Sequence, residues 1–102
     1  MLTRVDETAV RQHAEAHGQA VVAGDLRTAG ADLDGDALAQ AGDVMKQLPR
    51  TLTSSEIVSL QDEGDAAVVR TRYAGDEGEA IVESRWQQRG DRPKIVSMTV
   101  GE

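Results

Sequence analysis

The chain has 102 residues, and its 11 basic and 18 acidic residues leave a formal net charge of -7. This length suits one domain, and the acidic balance argues against nucleic acid or an anionic membrane surface as a partner. The sequence has no cysteine, which excludes disulfides, thiol nucleophiles and cysteinyl metal ligands. No apolar run approaches the roughly 20 residues of a membrane-spanning helix, and the first residues are too polar for a secretory signal, so we expect a cytoplasmic protein.

The N-terminal half, residues 1–49, is rich in alanine and predicts helices. Each predicted helix follows a residue whose side chain can accept a hydrogen bond from the first free amides. The predicted helices and their caps are 4–23 with Thr3, 26–31 with Asp25, and 35–48 with Asp34. The apolar face predicted for the third helix consists of Leu38, Ala41, Met45 and Leu48.

The C-terminal half, residues 50–102, alternates β-branched and polar residues between short turns that contain Gly and Asp. We predict four strands, at 51–61, 66–73, 79–88 and 94–100. Connections this short imply an up-and-down antiparallel meander. The sequence therefore predicts one α+β domain over residues 1–102, in which N-terminal helices pack on a four-stranded antiparallel sheet.

A period of two assigns the strand residues to two faces of the sheet. The predicted core face consists of Leu52, Val58, Leu60, Val69, Thr71, Tyr73, Ala80, Val82, Ser84, Trp86, Val96, Met98 and Val100. The opposite, mixed face consists of Ile57, Val68, Arg70, Arg72, Ile81, Glu83, Arg85 and Ile95. Apolar residues on both faces indicate that each face is covered. Helices can cover one, and a second copy of the chain can cover the other.

Charged residues on the mixed face have three interpretations. They could form exposed cross-strand ion pairs, hold a substrate carboxylate, or form the polar part of an interface between subunits. We favour the interface, because the chain has no Phe and only one Trp and one Tyr, which makes the core of a lone domain thin. The predicted homodimer interface consists of Arg70, Arg72, Ile81, Glu83 and Arg85.

The order of elements and the end of the first helix resemble those of a known superfamily. The helix ends in Ala-Val-Val-Ala-Gly-Asp-Leu over residues 20–26, more short helix follows, and long strands complete the chain. In these features the chain resembles a compact member of the nuclear transport factor 2-like superfamily, which includes SnoaL-like and ketosteroid-isomerase-like proteins. The resemblance implies a cystatin-like cone, in which a curved sheet wraps helix one, the mouth holds a small apolar ligand, and two copies pair through their sheets.

His13 and His17 lie four residues apart and share one face of the predicted first helix. The residues between them do not form the zinc-protease motif and no third ligand is identifiable, so we expect no metal and no cofactor. Two other interpretations stay open. The imidazoles could be half-buried groups bonded to backbone or sheet, or one could be a general base whose pKa is set by burial and a carboxylate.

The two large aromatic residues, Tyr73 and Trp86, fall late on neighbouring predicted strands. They could wall a ligand pocket with a phenol or indole donor, or they could fill the core or the dimer interface. The candidate ligand-binding residues are His13, His17, Tyr73, Ser84 and Trp86, and the catalytic candidates among them are His13, His17 and Tyr73.

An acidic segment, Asp-Leu-Asp-Gly-Asp over residues 32–36, resembles the start of a calcium loop. The loop's sixth position requires Gly but holds Ala37, and its twelfth position holds Asp43 in place of Glu. Capping of the third helix explains these acids adequately.

Two functions follow from these features. The first is a non-catalytic dimeric module that binds a small apolar ligand or a protein partner, and it is favoured because catalytic groups are scarce. The second is a small isomerase, cyclase or dehydratase with a helix-one histidine as base and Tyr73 as hydrogen-bond donor. The second predicts that at least one histidine and Tyr73 converge on one pocket.

Overall fold

The computed structural model describes residues 5–101. Its elements in chain order are α1 (Glu7–Ala23), α2 (Leu26–Gly30), α3 (Asp36–Gln47), β1 (Leu52–Asp62), β2 (Ala66–Gly75), β3 (Gly78–Arg89) and β4 (Arg92–Gly101). The strands form one antiparallel sheet in the order β1-β2-β3-β4. The predicted α+β class and the four-stranded meander are therefore confirmed. Within residues 5–101, no helix has the length and apolar character to cross a membrane.

Capping residues fix the ends of α1 and α2. Asp6 is the N-cap of α1, and its carboxylate accepts a hydrogen bond from the Thr8 amide at 3.0 Å. The predicted cap, Thr3, lies outside the described residues. Gly24 ends α1 in the left-handed conformation, with φ of 77°, which a residue with a side chain rarely adopts. The predicted cap of α2, Asp25, is confirmed: its carboxylate accepts bonds from the Thr28 hydroxyl and amide, which lower the pKa of Asp25.

The third helix differs from prediction at its cap and at its buried face. Its N-cap is Gly35 rather than Asp34, because the Asp34 carboxylate accepts from the neighbouring Gly35 amide at 2.9 Å, a bond that lowers the pKa of Asp34. The buried residues are Ala37 and Val44, whereas Leu38, predicted to lie on the apolar face, is 60% exposed. Small side chains let α3 lie close against β4.

Two irregularities in the sheet change which residues enter the core. A shift in the β1–β2 pairing between Ile57 and Ser59 puts Ile57 against the core and leaves Val58 exposed. A second shift, in the β3–β4 pairing, brings Ile95 opposite Trp86, where it is 1% exposed. The predicted faces of Ile57, Val58 and Ile95 were wrong, because an extra residue at a bulge reverses the alternation beyond it.

The helices all lie on one side of the sheet. Helix α1 packs on β1 and β2, α2 packs on α1, and α3 packs on β4. The connector between α2 and α3 joins the edge of β4 through a short parallel bridge at Leu33 and Ile95. There the Asp34 amide donates to the Ile95 carbonyl at 2.8 Å, and the Ile95 amide donates to the Asp32 carbonyl at 2.7 Å. This bridge fixes Asp32 beside the sheet.

Candidate functional site

A cavity of about 280 Å³ lies between the three helices and the inner face of the sheet. This volume is at the lower end of those found for small-molecule pockets. Two polar side chains, His17 from α1 and Tyr73 from β2, contribute to its wall. The other residues that line it are apolar or glycine: Val21, Leu26, Ala29, Gly30, Leu33, Ala41, Gly42, Val44, Met45, Leu48, Val82 and Met98.

His17 is held by a carboxylate on the side of the ring that bears Nδ1. Its Nδ1 lies 3.0 Å from Oδ2 of Asp32, and the side chains of the two residues are 13% and 9% exposed. A carboxylate accepts hydrogen bonds, so this contact places the proton of a neutral imidazole on Nδ1 and leaves Nε2 with a lone pair. The edge of the imidazole also meets Trp86, with 6.2 Å between ring centroids and 89° between planes. Both contacts fix the orientation of His17 in the cavity wall.

Asp32 is in turn fixed by a cation. Arg92, at the start of β4, donates from Nη2 to Oδ1 of Asp32, so each carboxylate oxygen has its own partner. A buried carboxylate needs such a partner, because desolvation strongly disfavours an isolated charge. The three side chains form a chain of contacts from the cavity to β4: His17, then Asp32, then Arg92.

Tyr73 supplies a hydrogen-bond donor to the same cavity. Its side chain is 3% exposed, and burial raises the pKa of the phenol well above its usual value of 10.0. It therefore stays protonated over the neutral range. Within residues 5–101 no hydrogen bond engages its hydroxyl. A methyl group built on Gly18, the residue after His17, would lie 3.8 Å from the hydroxyl oxygen, so the phenol reaches the same turn of α1.

Three other predicted residues do not line the cavity. His13 is half-buried on α1, one turn before His17. Ser84 and Trp86 are buried on the inner face of β3, where Trp86 Nε1 donates to Ser84 Oγ at 2.9 Å and Ser84 Oγ donates to the Val69 carbonyl at 3.3 Å. These bonds occupy the polar atoms of Ser84 and Trp86. The Trp86 ring also contacts the His17 imidazole and helps to orient it. Across residues 5–101, no group of three or more His, Cys, Asp or Glu side chains is placed to hold a metal ion.

Two residues of the site, Asp32 and Arg92, were missed by the sequence reasoning. The acids of residues 32–36 were assigned to helix capping, whereas Asp32 is buried against His17. The alternation of apolar and acidic residues over 31–34 is a signal for a short extended segment with alternating faces. No sequence signal identifies Arg92, because its partner lies 60 residues away.

The predicted interface residues lie on the outer face of the sheet, opposite the helices. Arg72 pairs with Glu56 across β1 and β2, with 3.4 Å between Nη2 and Oε1. Arg85 pairs with Glu63, with 2.7 Å between Nη1 and Oε1. The other three members of the set occupy neighbouring positions of the same face: Arg70 stands opposite Glu83 in the β2–β3 register, and Ile81 is half-buried.

Comparisons with known proteins gave no match: neither a family model, nor a curated protein, nor a solved structure matches the chain. The cavity and its two polar side chains are therefore the features that indicate a function. A fixed imidazole with a free lone pair can accept a hydrogen bond from a ligand in the cavity, and an unpaired phenol can donate one. They can also move a proton to or from the ligand.

Proposed function

We propose that the protein binds a small, mostly apolar molecule in the cavity, with His17 and Tyr73 as its polar contacts. The observation that carries this proposal is the convergence of an anchored imidazole and an unpaired buried phenol on one otherwise apolar cavity. The Tyr73 hydroxyl has no hydrogen-bond partner among residues 5–101, and a ligand hydroxyl or carbonyl would accept a bond from it. Contact with the apolar wall would remove the rest of the ligand from water, which favours binding.

Calorimetric titration with octanol tests this proposal. We expect saturable binding, and we expect Tyr73→Phe to weaken it roughly two- to tenfold, the range for one neutral hydrogen bond. His13→Gln is the matched control, because His13 lies on the same helix but not in the cavity wall. Octanol that does not bind, or binds equally well to Tyr73→Phe and to the wild type, would contradict the proposal.

A second candidate function, proton transfer, is favoured by the His17–Asp32 hydrogen bond. A carboxylate on Nδ1 fixes the tautomer in which Nε2 is the base and stabilises the imidazolium that forms. His17 Nε2 would take a proton from the carbon beside a carbonyl group, and Tyr73 would donate a hydrogen bond to the developing oxyanion. His17 would then return the proton to another carbon, which isomerises the substrate. The resemblance to ketosteroid-isomerase-like proteins points to the same class of reaction.

Deuterium exchange into cyclohexenone, followed by proton nuclear magnetic resonance in D₂O, tests proton transfer. General base catalysis contributes roughly 10²–10⁴-fold, so His17→Gln should remove most of the exchange. His13→Gln should leave it intact. Asp32→Asn should slow exchange while leaving octanol binding in place. If the wild-type protein gives no exchange above buffer, the protein only binds. If His17→Gln exchanges as fast as the wild type, His17 is not the base.

We also propose that two copies pair through the outer face of the sheet, as the superfamily resemblance implies, and that the dimer is cytoplasmic. The helices lie on the other side of the sheet, and Ile81 lies half-buried among charged residues of this face. Light scattering over a dilution series should show a dimer that Ile81→Asp dissociates. A wild-type protein that is monomeric at every concentration would contradict pairing.

A further inference from the structure

The cavity continues into a wider groove at the surface. The groove has a volume of about 700 Å³. Four residues line both spaces: Val21, Leu26, Met45 and Leu48. Two of these, Leu26 and Met45, are large apolar residues that are 59% and 39% exposed at the junction. A molecule in the cavity can therefore extend into the groove over apolar side chains.

Unlike the cavity, the groove carries charge. Two cations line it, Lys46 in the last turn of α3 and Arg50 just after that helix, together with one acid, Glu77. Within residues 5–101, no ion pair or hydrogen bond engages the side chain of Lys46 or Arg50. By contrast, Arg72 and Arg85 on the outer face both have carboxylate partners. In a chain with a net charge of -7, the groove thus collects unpaired positive charge beside the mouth of an apolar cavity.

We infer that the ligand is an amphipathic carboxylate, with its apolar part in the cavity and its carboxylate in the groove near Lys46 and Arg50. This inference rests on the proposed function and names the ligand class of the same site. The apolar junction at Leu26 and Met45 would contact the ligand where it leaves the cavity. Cations at the mouth also raise the local concentration of anions, which would speed entry.

Calorimetric titration with octanoate and octanol separates the contribution of the carboxylate from that of the apolar chain. The test variant is K46Q/R50Q. The control is R11Q/R27Q, which removes the same charge from residues that line neither the cavity nor the groove. We expect K46Q/R50Q to weaken octanoate binding roughly three- to tenfold at low salt, as for two exposed ion pairs, and to leave octanol binding unchanged. High salt should remove the difference, since exposed charges are screened.

Each other result overturns a stated part of the proposal. If octanol binds while K46Q/R50Q and R11Q/R27Q affect octanoate equally, the carboxylate is not held in the groove and the cavity remains an apolar site. If octanoate does not bind but octanol does, the ligand class is neutral. If neither probe binds, the proposed function fails together with this inference.

Discussion

The two faces of the sheet use the same ion-pair chemistry in different surroundings. On the inner side, the Asp32 side chain is 9% exposed, and His17 and Arg92 share its two oxygens. On the outer side, Arg85 and Glu63 form a close pair whose side chains are about 40% and 36% exposed. In the single chain, water screens the outer pair and solvates either partner if the other is lost, but it cannot do so for Asp32. Burial, rather than distance, therefore decides what each pair contributes, and the inner set is the one that orients a functional group.

Substitutions of apolar residues should give the largest difference between the two faces in the free energy of unfolding. Trp86 is 1% exposed on the inner face, whereas Ile81 is half-buried on the outer face. Trp86→Ala should lower the free energy of unfolding by about 3–5 kcal/mol, because it leaves a large cavity, and Ile81→Ala by about 1 kcal/mol. Urea unfolding measures both losses. Circular dichroism is the signal to follow, because Trp86→Ala removes the single tryptophan and with it the tryptophan fluorescence. Equal losses would mean that the outer face is buried as deeply as the inner one.

The ion pairs should differ in the same direction. Asp32→Asn removes the charge that pairs with Arg92 and should lower the free energy of unfolding by about 1–3 kcal/mol. Glu63→Gln, which breaks the exposed pair with Arg85, should cost about 0–1 kcal/mol. Urea unfolding at neutral pH measures the two variants side by side. The comparison of faces breaks down if Glu63→Gln proves as costly as Asp32→Asn.

Alkaline pH should lower the stability of the protein through Tyr73 on the inner face. Burial raises the pKa of its phenol, so above pH 10 the unfolded chain loses this proton while the folded chain keeps it. The unfolded state then binds fewer protons, and stability falls as pH rises, by up to about 1.4 kcal/mol per pH unit from this group. The same measurements on Tyr73→Phe isolate the effect. A wild-type protein and a Tyr73→Phe variant that lose stability in parallel above pH 10 would show that the phenol ionises equally in both states.

Two helical glycines should give the smallest effects, with opposite signs. A methyl group on Gly18 would lie 2.8 Å from Ser55 Oγ, whereas none of the described atoms lies within 4 Å of one on Gly42. Gly42→Ala should stabilise the protein by roughly 0.5–1 kcal/mol through helix propensity. Gly18→Ala should destabilise it by about 1 kcal/mol, and adding Ser55→Ala should recover most of that loss. Thermal unfolding compares the stability of the variants. If Gly18→Ala alone stabilised the protein, α1 would not be in close contact with β1 at this position.

The fold could be predicted from sequence wherever local pattern decides it. Alternation located all four strands, and Asp25 marked the start of α2 correctly. The pattern failed at Val58 and Ile95, because a bulge reverses the faces and leaves no mark in composition. Leu38 was misplaced because apolar spacing alone allows two faces of α3, and the close approach to β4 selects the one with smaller residues.

The site was predictable in part. His17 and Tyr73 stood out as residue types that carry chemistry, and they do line one cavity. His13 has the same chemistry one turn earlier and lies outside the cavity wall, which only packing could decide. Asp32 lies 15 residues from His17 along the chain, and Arg92 lies 60 residues from Asp32. Their contacts therefore depend on the tertiary structure.

The short bridge between Leu33 and Ile95 also bears on the order of folding. The meander is joined by tight turns, so its pairings close short loops, whereas the bridge must close a loop that contains α3 and most of the sheet. We expect the strands to pair early and the connector to dock last, so the His17–Asp32–Arg92 set would be assembled only in that final step. The amide of Asp34 should then exchange with solvent sooner than those at the centre of β2 and β3, so its exchange rate would report opening of the binding site.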